Sequence, residues 1–135
     1  MKVIVDTSVW SLALRRDLPS RDPFIDELIE LIREVRVQLM GPVRQELLSG
    51  IKSSRQFDLL KLKLAVFDDL HLESQDYELA ATYFNAARSK GIQGSNTDFL
   101  ICAASARRNL SILTTDKDFI NFKSAIPVFL HKPRT

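Results

Sequence analysis

Residues 3–8 read Val-Ile-Val-Asp-Thr-Ser, and this short stretch decides the fold. Three consecutive β-branched apolar residues, apolar on both faces, describe a strand buried inside a parallel sheet. Asp6, Thr7 and Ser8 then supply N-cap chemistry for a helix that carries Val9, Trp10 and Leu12. A strand that passes straight into a helix is the opening of a β-α-β unit, and the rest of the chain repeats the alternation.

Pro23 opens a second helix, in which Phe24, Ile25, Leu28, Leu31, Ile32 and Val35 recur at helical spacing. Residues 37–40 form a second strand that Gly41 and Pro42 break, and residues 43–49 form a short helix closed by Gly50. Residues 54–67 and 76–90 read as two further helices, the second with Leu79, Ala80, Tyr83, Phe84 and Ala87 on one face. A polar, glycine-bearing loop over 91–96 leads to an alanine-rich helix over 97–108. Residues 110–113 are the third strand and 126–130 the fourth. The expected fold is an α/β three-layer sandwich: a mostly parallel central sheet of four or five strands flanked by helices, in one domain over residues 1–135.

Composition excludes several classes. The 45% hydrophobic and 27% charged content is that of an ordinary globular chain. Nineteen basic residues stand against seventeen acidic, and a net charge of +2 is too small to argue for nucleic acid without regard to placement. One cysteine, Cys102, allows no intramolecular disulfide. The N-terminus meets an acid too early for a secretory apolar region, and no run approaches the roughly 18 apolar residues of a membrane span, so a cytoplasmic protein without membrane partners is expected. Nucleotide-loop and CxxC motifs are absent, and His71 and His131 lack partners at metal-ligand spacing.

Asp6, Glu46, Asp98 and Asp116 lie far apart in sequence, yet each stands where a strand or helix ends. Ligands of parallel sheets bind outside the carboxyl ends of the strands. Asp6 follows the first strand, Glu46 lies early in the helix after the second, and Asp116 comes three residues past Leu113. Asp98 starts a helix of about 11 residues, roughly 16 Å long. The returning strand of about five residues spans roughly the same length, which brings Asp98 level with Asp116. Convergent carboxylates repel, so such a cluster needs a cation or raised pKa values, and oxygen-only donors favour Mg²⁺ or Mn²⁺. Taken singly, each acid has a structural alternative. Asp6 could cap the first helix, Glu46 could be a solvated helix residue, Asp98 a first-turn acid, and Asp116 a turn residue or cap.

The same residues carry a family pattern. Val5-Asp6-Thr7-Ser8-Val9-Trp10, Glu46-Leu47-Leu48, Asp98-Phe99-Leu100-Ile101 and Leu113-Thr114-Thr115-Asp116-Lys117-Asp118-Phe119 together closely resemble a PIN domain. Their order and spacing resemble the VapC-type toxins of bacterial and archaeal toxin–antitoxin pairs. The resemblance implies an endoribonuclease dependent on Mg²⁺ or Mn²⁺, with Asp6, Glu46, Asp98 and Asp116 as metal-binding and catalytic acids. Thr7, Ser8, Thr114 and Thr115 would orient carboxylates and water, and Asp118 would be a fifth acid or a helix cap. The metal would activate water and neutralise charge on the phosphate oxygens. The substrate implied is RNA (tRNA, rRNA or mRNA), and the implied partners are a cognate antitoxin and a second copy in a homodimer.

A cluster of acids repels phosphate, so RNA would need basic neighbours. Arg15, Arg16, Lys52 and Lys117 are the first candidates, with Arg55, Lys90 and Lys123 behind them. Arg107 and Arg108 belong to the far edge, at the C-terminus of their helix. Trp10, Phe67, Phe84 and Phe99 read as core or interface, and Cys102 as a buried hydrophobe. Two other classes stand beside it: a Mg²⁺-dependent phospho-receiver, similarly sized and α/β, which would want an acidic pair where Asp6 is followed by Thr7, and a non-catalytic RNA- or protein-binding module on the same fold. A dehalogenase-type phosphatase would want an Asp where Ser8 stands.

Overall fold

The structure is a computed structural model that describes residues 1–15 and 22–134; Arg16 lies outside the described residues. Strand β1 (Val3–Val5) is central, with β2 (Val37–Gln38) on one side and β3 (Ser111–Leu113) on the other, all parallel. Val3 lies opposite Val37 and Ser111, and Val5 lies opposite Leu113. A middle strand with both faces covered must be apolar throughout, and Val3, Ile4 and Val5 are all buried.

The helices are α1 (Thr7–Ala13), α2 (Pro23–Arg33), α3 (Gly41–Leu48), α4 (Ser54–Leu64), α5 (Ser74–Ser89), α6 (Asn96–Arg108) and α7 (Asp118–Phe122). They flank the sheet, with α2 packed against β2 and α6 against β3. In α6 every residue from Phe99 to Ser105 is buried, and its alanines let the helix approach closely on all sides. No described helix is long and apolar enough to cross a membrane.

The expected α/β architecture is present, with fewer strands than the four or five expected. Among the described residues there are three, plus one isolated bridge at each edge: Leu39 with Asp69 and Ile112 with Leu130. The expected fourth strand over 126–130 shrinks to that second bridge. There Ile112 N–H donates to Phe129 O and His131 N–H to Ile112 O, both at 2.8 Å. Pro127 carries no N–H, so a ladder cannot extend back through it. Gly41 and Pro42 do more than break a strand, since they form the first turn of α3, where a missing N–H costs nothing.

Val35 does not continue α2. It adopts φ 57° and is exposed, while Val35 N–H donates to Ile32 O (3.1 Å) and Arg36 N–H to Leu31 O (2.9 Å). This paired closure turns the chain directly into β2. Two buried carboxylates far apart in sequence are neutralised by cations. Asp76, fully buried in the first turn of α5, accepts from Arg107 (2.8 Å) and Arg108 (2.6 and 2.8 Å) at the end of α6. Glu27 on α2 holds His131 at 2.6 Å and Arg134 at 3.0 Å, tying down the C-terminal segment. Burial pushes the Glu27 carboxyl upward, but hydrogen bonds from His131 and Arg134 outweigh it and hold it below the usual range.

Candidate active site

The chain leaves β1 at Asp6, which is 5% exposed. Its Oδ2 accepts from Ser8 Oγ and from Thr114 Oγ1, each at 2.8 Å. Ser8 Oγ in turn accepts from Thr115 N–H (3.1 Å), and Thr114 Oγ1 from Asp116 N–H (3.0 Å). Both hydroxyl protons therefore point at Asp6. The 3.2 Å approach of Ser8 Oγ to Thr114 Oγ1 has no proton left to share and is a close contact only. Two hydroxyls from the carboxyl ends of neighbouring parallel strands thus hold one carboxylate in one orientation. Of the two threonines, Thr114 touches Asp6 and Thr115 contributes its backbone.

Asp116 follows β3, and its Oδ1 accepts from Asp118 N–H at 2.9 Å, an Asx turn that leads into α7. The capping contact thus belongs to Asp116. Asp118 is an exposed acid in the first turn of α7, where the helix dipole favours it.

Asp98 sits in the first turn of α6 in a capping box. Ser95 Oγ accepts from Asp98 N–H, and Asp98 Oδ2 accepts from Ser95 N–H, both at 3.0 Å. Burial raises its carboxyl pKa, against the hydrogen bonds to Ser95, and the negative charges of Asp6 and Asp116 add to the rise. Three elements distant in sequence therefore present acids to one shared space. Cys102, one turn further along α6, is pushed up to about 12 by burial first and then by Asp98 and Asp6. Its thiol stays neutral behind the site.

Glu46 is exposed on α3, and its Oε1 accepts from Thr7 Oγ1 at 2.8 Å. It also lines a cleft of about 480 Å³ between α1, α3 and α4, with Arg15, Lys63, Leu14, Leu47 and Leu59. Lys63 was not singled out from the sequence. Its signal is the spacing of Gln56, Leu59, Leu60 and Lys63, which puts these four on one face of α4. Of the other cations, Lys52, Arg55, Lys117 and Lys123 are exposed, and Lys90 donates to Ser124 O at 2.6 Å. Arg108 does reach Ala104 O at the end of α6 (3.3 Å), but the main partner of Arg107 and Arg108 is Asp76. Trp10 and Phe99 lie in the core and Phe67 and Phe84 pack against it, with Trp10 edge-on to Phe67 at 5.3 Å and Phe84 edge-on to Phe99 at 5.6 Å.

The donors gathered here are carboxylate and hydroxyl oxygens, the set that suits a hard divalent cation. As the side chains stand, no three Asp, Glu, His or Cys among the described residues close on a common point as a metal shell. The reason is local. Asp98 is turned back to Ser95, Asp116 toward Asp118 N–H, and Glu46 to Thr7. The donors fit the ion in kind and in their mutual repulsion, and their arrangement is open.

A PIN-domain family model matches residues 3–124, most of the chain. No curated protein matches the sequence at a significant level. Solved structures do. VapBC2 from Rickettsia felis, bound to a promoter DNA fragment, has TM-score 0.76 at 17% identity over 97% of this chain and 98% of that one. FitAcB from Neisseria gonorrhoeae has TM-score 0.74 at 22% identity over 97% of both chains. VapBC-5 from Mycobacterium tuberculosis, of the VapBC family of toxin–antitoxin systems, has TM-score 0.66 at 19% identity over 96% of this chain and 98% of that one. At these identities the likeness establishes a common fold.

Proposed function

The chain belongs to the PIN-domain family, and from that premise we propose that residues 1–135 form one nuclease domain that hydrolyses RNA phosphodiester bonds with Mg²⁺, or Mn²⁺ in its place. Asp6, Asp98 and Asp116 would hold the ion, with Glu46 completing the set directly or through water. The observation that carries this reading is the tie between the strand ends: Thr114 Oγ1 donates to Asp6 Oδ2 and accepts from Asp116 N–H, with a partly buried Asp98 near enough for both negative charges to add to the rise that burial gives its carboxyl. Mutually repelling carboxylates gathered at the strand ends are costly without a cation.

When bound, a divalent ion supplies the charge that favours in-line displacement at phosphorus. The protein's own groups do the positioning. Ser8 and Thr114 fix the Asp6 carboxylate through Oδ2. The Ser95 capping box holds the start of α6, and with it Asp98, at the mouth of the site. Thr7 links Glu46 to the Asp6 turn. Arg15 and Lys63, beside Glu46, would meet the phosphates that the acids repel.

The cellular role that fits is the toxin of a toxin–antitoxin pair that stops translation or growth, in the cytoplasm, as a homodimer held by a cognate antitoxin. The support is the fold shared with VapBC and FitAcB proteins. Purified protein incubated with total RNA in Mg²⁺, Mn²⁺ or EDTA, followed by mapping of new ends, tests the activity. Metal-dependent cuts that disappear in Asp98→Asn are expected. Cuts of equal rate in EDTA or in folded Asp98→Asn would remove the basis of the proposal.

A further inference from the structure

The acids of the site share a pattern that the buried structural carboxylates lack: each has one oxygen tied to the protein and one left over. Asp6 Oδ2 accepts from Ser8 and Thr114, Asp98 Oδ2 from Ser95 N–H, Asp116 Oδ1 from Asp118 N–H, and Glu46 Oε1 from Thr7. Among the described residues, Asp6 Oδ1, Asp98 Oδ1, Asp116 Oδ2 and Glu46 Oε2 have no hydrogen-bond partner. Asp76 and Glu27 differ, since both commit both oxygens to the protein. Asp76 Oδ1 accepts from Arg107 and Arg108, and its Oδ2 from Glu73 N–H and Arg108. Glu27 Oε1 accepts from Arg134, and its Oε2 meets His131. Asp6 is the telling member, because it is 5% exposed. The one side-chain nitrogen or oxygen sealed from solvent without a partner, among the described residues, is Trp10 Nε1. Asp6 Oδ1 therefore keeps an opening at the carboxyl edge of the sheet.

We infer that these ties make each acid a one-oxygen ligand, and that Ser8, Thr114 and Thr7 are positioning residues that select Mg²⁺ over Ca²⁺. The inference rests on the nuclease reading and deepens it. Ca²⁺ takes about six to eight oxygens and readily accepts two from one carboxylate, whereas Mg²⁺ demands near-octahedral order and keeps several waters. Four acids limited to one oxygen each are too few for Ca²⁺ and enough for a smaller ion whose remaining ligands are water. The ties on Asp6 are fixed in direction. Ser8 Oγ accepts from Thr115 N–H and Thr114 Oγ1 from Asp116 N–H, so each hydroxyl proton is left for Oδ2. The two hydroxyls stand just past β1 and β3, which pair side by side. Without them Asp6 is free to turn its second oxygen toward the ion. The ties on Asp98 and Asp116 come from backbone N–H groups, so the hydroxyls are the part that substitution can remove.

The test is isothermal titration calorimetry of the whole chain with MgCl₂ and, separately, CaCl₂, in the absence of RNA. Thr114→Val keeps the side-chain shape and removes its hydroxyl. It should weaken Mg²⁺ about tenfold, the smaller effect typical of losing a group that orients a metal ligand, while Ca²⁺ binding holds or tightens. The ratio of the two dissociation constants then moves about tenfold or more toward Ca²⁺, and Thr114→Ser should restore it. Thr7→Val, which frees Glu46 alone, should move the ratio the same way by less.

A merely structural Thr114 would weaken both ions alike, so an unmoved ratio in folded Thr114→Val overturns the inference. If Thr114→Val does not fold, an unmoved ratio in Thr7→Val overturns it. A wild type that binds Ca²⁺ as tightly as Mg²⁺ overturns it as well. A shifted ratio with no metal-dependent cut in RNA would sink the nuclease reading alone, and metal-dependent cuts with an unmoved ratio would sink the inference alone.

Discussion

Adding one methyl group at Gly94 should loosen the active site from behind. A Cβ at that position would stand 2.6 Å from Phe122 Cζ, 3.0 Å from Phe122 Cε1 and 3.0 Å from Phe99 Cε2. Carbon pairs prefer roughly 3.5–4.0 Å, so the overlap approaches about 1 Å. The rings cannot step aside, because Phe99 and Phe122 are buried and tilted against each other at 4.9 Å, with Phe119 5.3 Å from Phe122 and Phe84 5.6 Å from Phe99. Overpacking of this kind costs about 1–3 kcal/mol. For a domain of this size that is a fall in Tm of about 4–12 °C. Gly94 does not need a left-handed backbone, so Gly94→Ala would by itself stabilise by about 0.4–1 kcal/mol, and any loss isolates the crowding. The strain falls between Ser95, which caps the helix of Asp98, and α7, which Asp116 caps. A displacement near 1 Å between those acids should lower kcat/KM by about 10- to 100-fold. Thermal melting by circular dichroism and initial rates on one RNA substrate measure the two effects. A Gly94→Ala protein that melts within a degree or two of wild type and cleaves at the same rate would refute the reasoning.

Other expectations follow from single contacts. Asp76→Ala should cost about 2–4 kcal/mol in chemical denaturation, somewhat below the loss for a fully buried pair because Arg107 and Arg108 keep 29% and 21% of their side chains exposed. Hydrogen bonds from Arg108, then Glu73 N–H and Arg107, outweigh burial and hold the Asp76 carboxyl below its usual range. Its stabilisation is therefore complete above about pH 4 and lost as pH falls further, and the variant should lack that acid limb. Val35→Gly should raise Tm by a few degrees, because it removes about 1 kcal/mol of left-handed strain at an exposed residue with φ 57°. Mg²⁺ at about 100 times its dissociation constant should stabilise the protein by about 2.7 kcal/mol, and Asp98→Asn should abolish that shift in a melt. Arg15→Ala with Lys63→Ala should weaken RNA binding in titrations and reduce its salt dependence by about two phosphate contacts, leaving Tm within about a degree.

The sheet edge was readable because β1 and β3 each hand their ends to an acid and a hydroxyl within a few residues. Residues 3–8 contain the strand, the acid and the helix start together, and local sequence was enough for them. The lengths behind the Asp98 argument differ from those expected, since α6 is longer and β3 shorter than 11 and five residues. What could not be read were effects that depend on a partner from elsewhere. Residues 126–130 have the apolar content of a strand, but one proline and one neighbour limit them to a bridge. Val35 continues the helical pattern, yet the demand that Val37 lie beside Val3 forces it out. His131 has no partner by spacing and finds Glu27 more than a hundred residues away.

The linear chain by itself determined the alternation of strands and helices, the acids at their ends and the family pattern those acids carry. Periodicity, caps and β-branched runs act within a few residues and need no tertiary partner. Only the tertiary structure decided that Asp98 feels Asp6 and Asp116, that two hydroxyls hold Asp6, and that Lys63 stands near Glu46. It also decided that an uncharged cleft opens between α5 and α6. Electrostatic coupling and burial depend on distance in space, and the packing of α5 on α6 and of β3 beside β1 sets those distances.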